Sequence, residues 1–332
     1  MQDLSVIVTC HNKIDFIPGF LLHAEIILNE GFELVIIDDA STDGSVNLLE
    51  SFAAKHSQLK FLKFSENQGS AKSRNTGIEN ASRSFLFFLD IDDTCNIDTL
   101  KTVFHDLILH NGDLAIANLR VFPENSLLRM PIDTQATISI PISSIYSEIS
   151  ENMGYSRYIY KRDFAIKSAI RFFPTRIEAE GSHFILDDAF WLILVSASNG
   201  IAVVTPPNRI IYNYNRPPST LLAWERYLLQ VTQLPQLSLR FLNEFNTSKS
   251  INSKLLQRNM RVWLFKSVKV LPFRYAMKSR LFSVVFLVRL NRELNHDIGI
   301  LLLLKESFLF LLTSLRNTIR IRSRFESLKG TL

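Results

Sequence analysis

Across the first third of the chain, short apolar runs alternate with longer stretches in which apolar residues recur every three or four positions. Residues 4–9, 33–37, 59–64 and 85–89 are too short for independent helices and rich in β-branched or aromatic side chains, so each reads as a strand. The run Phe-Leu-Phe-Phe-Leu at residue 85 has no polar alternation, the mark of a strand buried on both faces. Between the first two runs, Ile17, Phe20, Leu21, Ala24, Ile27 and Leu28 follow helical spacing, with Pro18 in the first turn and Gly31 just past the end. Val46, Leu49, Phe52 and Ala53 predict a second helix. A third opens at Asn67-Gln68-Gly69-Ser70, holds Lys72 and Arg74, and nears its end at Gly77. A further strand is expected over residues 113–118. Strand and helix therefore alternate from residue 4 to about 118, which predicts an α/β domain with a mostly parallel sheet between helices.

The residues at the strand ends carry the candidate chemistry. The second strand ends in Asp38-Asp39-Ala40-Ser41-Thr42-Asp43-Gly44, and the fourth in Asp90, Asp92 and Asp93. Open α/β sheets bind ligands at the carboxyl ends of their strands. Two carboxylates spaced as Asp-x-Asp can share one hard divalent cation and leave positions open for phosphate oxygens. The plainer alternative is a strand-to-helix turn, with an Asp capping the helix that begins near Asn96. Neither a Gly-x-Gly-x-x-Gly nor a Gly-x-x-x-x-Gly-Lys-Ser/Thr comes after the first strand, which removes the dinucleotide fingerprint and the P-loop.

Composition adds an asymmetry. The 332 residues are 47% hydrophobic and 21% charged, a balance that supports a substantial core and argues against global disorder. From residue 251 onward Lys and Arg outnumber Asp and Glu by 12, so residues 1–250 carry −7 within a chain of net charge +5. Cys10 and Cys95 are the two cysteines. They lie far apart, form no disulfide framework and suit a reducing cytosol. Because residue 4 already opens a strand, no leader peptide is expected.

Four ordered blocks carry a specific likeness: Ser-Val-Ile-Val-Thr-Cys-His-Asn from Ser5, Val-Ile-Ile-Asp-Asp-Ala-Ser-Thr-Asp-Gly-Ser from Val35, Asn-Gln-Gly-Ser-Ala-Lys-Ser-Arg-Asn-Thr-Gly from Asn67, and Phe-Leu-Asp-Ile-Asp-Asp from Phe88. Together they resemble the nucleotide-binding half of family 2 glycosyltransferases, inverting enzymes of the GT-A fold. Later stretches are similar to the family's later blocks: Tyr160 to Phe164, Leu186 to Trp191 and Tyr214 to Ser219. The resemblance implies that Asp39 accepts a hydrogen bond from the uracil N3–H of a UDP-sugar, with Thr9 close by. An imide N–H needs such an acceptor. Asp38 is placed at the nucleotide or in the turn, Asp43 at a helix cap. Arg74 faces the nucleotide or forms a surface ion pair, and Lys72 is solvated. Asp90 and Asp92 are implied as ligands of Mg²⁺ or Mn²⁺ on the donor diphosphate, with Asp93 supporting the ion or the sugar.

The family's acidic pair that opens a helix stands here as Asp187-Asp188, which makes Asp188 the base for the acceptor hydroxyl and Asp187 a neighbour that can raise its pKa. The alternative is a helix N-terminus complementing its dipole. Trp191, one turn on, is a platform for an acceptor sugar or a core aromatic, and His183 is equally ambiguous. Arg216, in Arg-Pro-Pro-Ser, is a candidate phosphate clamp. His is absent there, which leaves a third protein ligand to the metal unassigned.

The resemblance gives a nucleotide-sugar half (1–120) and an acceptor half (121–220), and beyond it the texture changes to long helical patterns in a basic region (221–332). In that last region, aromatic and aliphatic residues mix with evenly spaced cations, and residues 298–315 are strongly apolar apart from Lys305-Glu306. A central ion pair argues against an ordinary spanning helix, so the alternatives are a basic region lying on an anionic membrane surface or a helical bundle with a solvated cationic face. No nucleic-acid module accompanies the charge. The expected activity is metal-dependent transfer of a hexosyl or N-acetylhexosaminyl group from a UDP-sugar to a hydroxyl of a lipid-linked or cell-surface glycan. The expected place is the cytoplasm, peripheral on the inner face of the cell membrane. The rival readings are a catalytically silent sugar-nucleotide-binding scaffold and a nucleotidyltransferase.

Overall fold

A computed structural model describes residues 3–122, 126–128, 132, 134–145, 157–173, 187–215, 237–238, 240–245 and 251–260, with side chains outside the description at 126–128 and 187–189. The chain forms two compact units. One comprises residues 1–216 and 248–256, the other residues 217–247 and 257–332. In the second unit the described segments include a helical turn at 240–245, where the rings of Phe241 and Phe245 lie 4.9 Å apart. The expected basic tail beyond residue 260 is outside the described residues.

The first unit begins as the pattern predicts: β1 (Leu4–Cys10), α1 (Ile17–Asn29), β2 (Glu33–Asp38), α2 (Ser45–Ala53), β3 (Leu59–Lys63), α3 (Ser70–Asn80) and β4 (Phe85–Asp90). A two-residue β5 (Thr94–Cys95) leads into α4 (Ile97–Leu109). The Asn96 side chain caps α4 by accepting from the Thr99 amide at 2.9 Å, so the cap falls on Asn96 and not on one of the preceding Asp residues.

The strand expected over 113–118 is two strands, β6 (Leu114–Ile116) and β7 (Asn118–Phe122). The chain changes sheets between them. The Ala117 amide bonds to the Arg157 carbonyl, and the Asn118 amide to the Arg209 carbonyl. An unbroken apolar run could not reveal this, because both strands are buried. The remaining elements are β8 (Ser126–Leu128), β9 (Ile138–Pro141), β10 (Tyr158–Lys161), α5 (Arg162–Lys167), α6 (Asp187–Ser196), β11 (Ile201–Val204) and β12 (Ile210–Asn215).

The larger sheet runs β3-β2-β1-β4-β10-β6-β11-β9, and the smaller β5-β12-β7-β8. β3, β2, β1 and β4 are parallel, while β10 runs antiparallel between β4 and β6. The chain leaves β1 on one side for β2 and β3, then crosses to β4 on the other. That reversal creates the crevice at which such sheets bind ligands. Leu4, Val6 and Val8 of β1 pack with α1, α2 and α4, and Ile7 packs on the opposite face with α3, α5 and α6. Each of these fully buried aliphatic side chains stabilises the fold by roughly 1.5–3 kcal/mol. α3 rides unusually close to the sheet: a Cβ on Gly77 would stand 2.3 Å from Ile7 Cγ2, so only glycine fits.

Candidate active site

Register alone assembles the site. Cys10 pairs with Asp38 across β1 and β2, and Thr9 pairs with Asp90 across β1 and β4. Thr9, Asp38, Asp39 and Asp90 therefore share one carboxyl edge. Thr9 Oγ1 donates to Asp90 Oδ1 at 3.1 Å, and Arg74 Nη2 donates to the same oxygen at 3.2 Å. Arg74 is 7% exposed, and its guanidinium stands 5.3 Å from the Phe172 ring. It is an interior cation aimed at the carboxyl edge, and the surface ion pair is excluded. Interior ion pairs of this kind are costly to break because the remaining charge is stranded.

The second-strand acids divide their work. Asp38 is fully buried and turns its carboxylate on Ser41, accepting from the amide at 2.8 Å and the hydroxyl at 2.6 Å. It orders the turn. Asp43 accepts from the amides of Ser45 and Ile14, joining the start of α2 to the loop after β1. Asp39 accepts from the amides of Gln68 at 2.6 Å and Gly69 at 2.8 Å, so its charge sits on the positive end of α3. Gly69 has φ of +87°, a conformation that favours glycine and turns these amides toward the carboxylate.

His11 stands beside Asp39. Its Nδ1 lies 2.7 Å from the Asp39 carbonyl, which can only accept, so Nδ1 carries the proton. Nε2 then accepts from the side-chain amides of Asn67 and Asn12.

The acidic loop after β4 is held from two directions. Lys13, on the loop after β1, places Nζ 2.5 Å from Asp92 Oδ2 and 5.3 Å from the Phe16 ring centre. From behind, the Tyr212 hydroxyl donates to Asp93 Oδ2 at 2.6 Å, and the Asn215 amide donates to Asp93 Oδ1 at 2.6 Å. Asp93 is 4% exposed. Burial pushes its pKa up to about 7 against the pull of these two donors, and the charges of Asp90 and Asp92 push the same way.

Trp191 is not at this edge. It is 1% exposed, stacked on Phe172 with centroids 5.8 Å apart and packed against Tyr158 and Tyr160. The sugar platform gives way to the core aromatic, because neighbouring rings cover the indole. Asp187 and Asp188 are the first two residues of α6, with side chains outside the described residues. His183 and Arg216 also lie outside them. Sequence reasoning missed Lys13, His11, Tyr212 and Asn215. Lys13 and His11 had one available signal: they come directly after a strand at the ligand edge.

Both thiols are pushed up to about 12, chiefly by burial. His23 Nε2 lies 3.2 Å from Cys95 Sγ, but it also accepts from the Cys95 amide, and the thiol stays protonated.

The acidic edge suits a particular kind of ion. Asp90 and Asp92 are 28% and 24% exposed and offer hard oxygens. Among the described residues no three His, Cys, Asp or Glu side chains are grouped to hold a metal. Carboxylates of this exposure offer the hard oxygens that an Mg²⁺-like ion takes, with phosphate oxygens and water completing its shell.

Glycosyl transferase family 2 matches residues 5–191, more than half of the chain and the span that holds every side chain of this edge except Tyr212 and Asn215. The chain belongs to this family. Relatives include succinoglycan biosynthesis protein ExoO of Rhizobium meliloti, 27% identical over 64% of this chain and 61% of its own length. The poly(ribitol-phosphate) beta-N-acetylglucosaminyltransferase TarS of Staphylococcus aureus is 31% identical over 36% of this chain and 21% of its own length. The chain spans 17–61% of the length of the first three curated relatives it matches.

Among solved structures, S. aureus TarS 1–349 superposes with a TM-score of 0.59 at 18% identity, over 80% of this chain and 71% of that one. Mannosyltransferase PcManGT from Pyrobaculum calidifontis, solved with GDP-Man and Mn²⁺, gives 0.52 at 15% identity, over 96% and 87%. The α/β architecture expected from the strand and helix pattern, and its GT-A form, are those of the protein.

Proposed function

We propose that this chain is an inverting glycosyltransferase that moves a sugar from a UDP-sugar to a hydroxyl of a lipid-linked or cell-surface glycan, with Mg²⁺ or Mn²⁺ at Asp90 and Asp92. The observation that carries the reading is the convergence of Thr9, Asp39, Arg74, Asp90 and Asp92 on the carboxyl edge at the β1–β4 crossover. Asp39, fixed by two α3 amides, is oriented to accept an imide N–H with lone pairs that remain. Arg74 and Lys13 supply positive charge beside the acidic pair. A bound divalent ion neutralises the charge that develops on the departing diphosphate without needing a proton. Asp188 takes the proton of the acceptor hydroxyl from the opposite side, and Asp187 raises its basicity.

The TarS fragment has been solved with UDP-GlcNAc, which supports UDP as the nucleotide, and named relatives in succinoglycan and teichoic acid synthesis support a glycan acceptor. In this reading residues 1–120 bind the donor, 121–220 the acceptor, and 221–332 rest on the anionic inner face of the membrane. The charge excess beyond residue 250 supports that last placement. No helix among the described residues is long and apolar enough to cross a membrane.

A screen of nucleotide sugars for slow hydrolysis, with Mn²⁺ or EDTA, tests the reading. Release of UDP from one UDP-sugar in Mn²⁺ alone is expected, and release from none overturns it. Asp39→Ala is expected to weaken UDP binding by roughly 1–3 kcal/mol, the scale of a lost buried acceptor. Equal affinity by calorimetry would move uracil recognition elsewhere.

A further inference from the structure

Asp93 has less exposure than Asp90 and Asp92 and, among the described residues, no ion pair with a cation. Its two oxygens are bound by β12, a strand of the other sheet and about 120 residues away in sequence, through the Tyr212 hydroxyl and the Asn215 amide. The same hydroxyl accepts from the Asp90 amide at 3.2 Å, and the Asn215 side-chain amide donates to the Asp92 carbonyl at 2.5 Å. Four hydrogen bonds thus join the tip of β12 to the backbone or side chain of Asp90, Asp92 and Asp93. Closing the tie, the Asp93 amide returns to the Asp90 carbonyl at 3.0 Å. The Tyr212 ring is 1% exposed and edge-on to Phe87 of β4 at 6.3 Å, so the hydroxyl cannot swing away.

We infer that Asp93, Tyr212 and Asn215 form a clamp that sets the position of the Asp90 and Asp92 carboxylates, and that these three are positioning residues for the ion and diphosphate. The inference rests on the nucleotide-sugar reading proposed for this edge. Carboxylates that hold an ion together with phosphate oxygens depend on correct placement, and the groups that hydrogen-bond around them set it. A hydroxyl bonded to both Asp90 and Asp93 fixes the loop at its first and last acid together. Asn215 fixes it at the middle and immediately precedes Arg216, the candidate phosphate clamp.

The test measures UDP affinity of the full chain by calorimetry, in EDTA and in Mn²⁺, alongside thermal unfolding. Tyr212→Phe keeps the ring and removes only the hydroxyl. It is expected to leave affinity in EDTA within about twofold and to cut the Mn²⁺-dependent gain roughly tenfold, the scale of a hydrogen bond to a charged group. Asn215→Ala, at an exposed side chain, is expected to cut the gain about threefold, the scale of a single neutral hydrogen bond. Asn213→Ala, which removes a bond to Thr94 Oγ1 in the same strand pairing, should leave the gain unchanged.

Lower melting temperatures for Tyr212→Phe and Asn215→Ala with a wild-type Mn²⁺-dependent gain would make the clamp purely structural and overturn the inference. An equal loss in Asn213→Ala would do the same, by showing general weakening of the strand pair. Wild-type protein that binds no UDP in either condition brings down the nucleotide reading and the clamp with it. Binding in wild type with unchanged variants brings down the clamp alone.

Discussion

Glu33 opens β2 at the amino end of the sheet, the acids after β2 and β4 lie at its carboxyl end, and the two ends are built for different purposes. At the amino end, Glu33 is closed in: Ser5 donates to it at 2.5 Å, Ser82 through both its amide and hydroxyl, and Lys60 at 2.8 Å. These donors outweigh the cost of burial and hold its pKa down to about 2. At the carboxyl end, acids accumulate faster than permanent partners. Asp90 and Asp92 face Arg74 and Lys13, and Asp93 is pushed up to about 7. A saturated carboxylate stabilises the fold and has no chemistry left. Partly exposed carboxylates keep oxygens that a ligand can use.

The contrast is tested most sharply by the acids of the proposed reaction. Asp188→Asn keeps shape and a hydrogen-bonding oxygen but cannot take up a proton, so transfer should fall roughly 10²–10⁴-fold with UDP affinity unchanged. Wild-type rates would move the base, and a product of retained configuration from the wild-type enzyme would sink the inverting mechanism. Asp92→Asn should lower Mn²⁺-dependent UDP release roughly 10²-fold while the melting temperature holds, the scale of several kcal/mol of charge stabilisation. Full activity in EDTA would remove the ion from the reading.

At the amino end the signs reverse. Glu33→Gln should destabilise by about 2–3 kcal/mol near neutral pH while activity per folded molecule stays wild-type. Because the folded pKa is depressed, wild-type Glu33 stabilises fully above its unfolded value near 4.5, and the contribution fades as pH falls toward 2. The stability gap between wild type and Glu33→Gln should therefore shrink from pH 6 to pH 3 in denaturant titrations. A constant gap would deny the linkage.

The smallest effect is expected at Lys13, whose side chain is 37% exposed. Lys13→Met should change stability by less than about 1 kcal/mol, as exposed pairs do. The same change should let Mn²⁺ act at about threefold lower concentration, because Asp92 loses its internal counter-ion. An unchanged Mn²⁺ response would show that Lys13 and the ion do not compete.

The sequence by itself determined the first four strands, their helices and the acids that end them, because apolar periodicity and turn chemistry are local properties. It also placed Asp39 and Asp90 at a shared ligand edge, since parallel strands with crossover helices present their carboxyl ends together. Tertiary structure alone decided which acids remain available. Asp38 and Asp93 look no different from Asp39 and Asp92 in sequence, but Ser41 occupies the first and Tyr212 and Asn215 occupy the second. The Tyr212 contact spans 119 residues and depends on β12 pairing with β5 so that Tyr212 lies opposite Cys95. Such pairing joins segments far apart in the chain, which no local pattern specifies. The same holds for Trp191, whose helix spacing fits a binding platform and a core position equally until Phe172 covers it. Burial is a property of what packs on a residue, and the residue's own neighbours in sequence do not carry it.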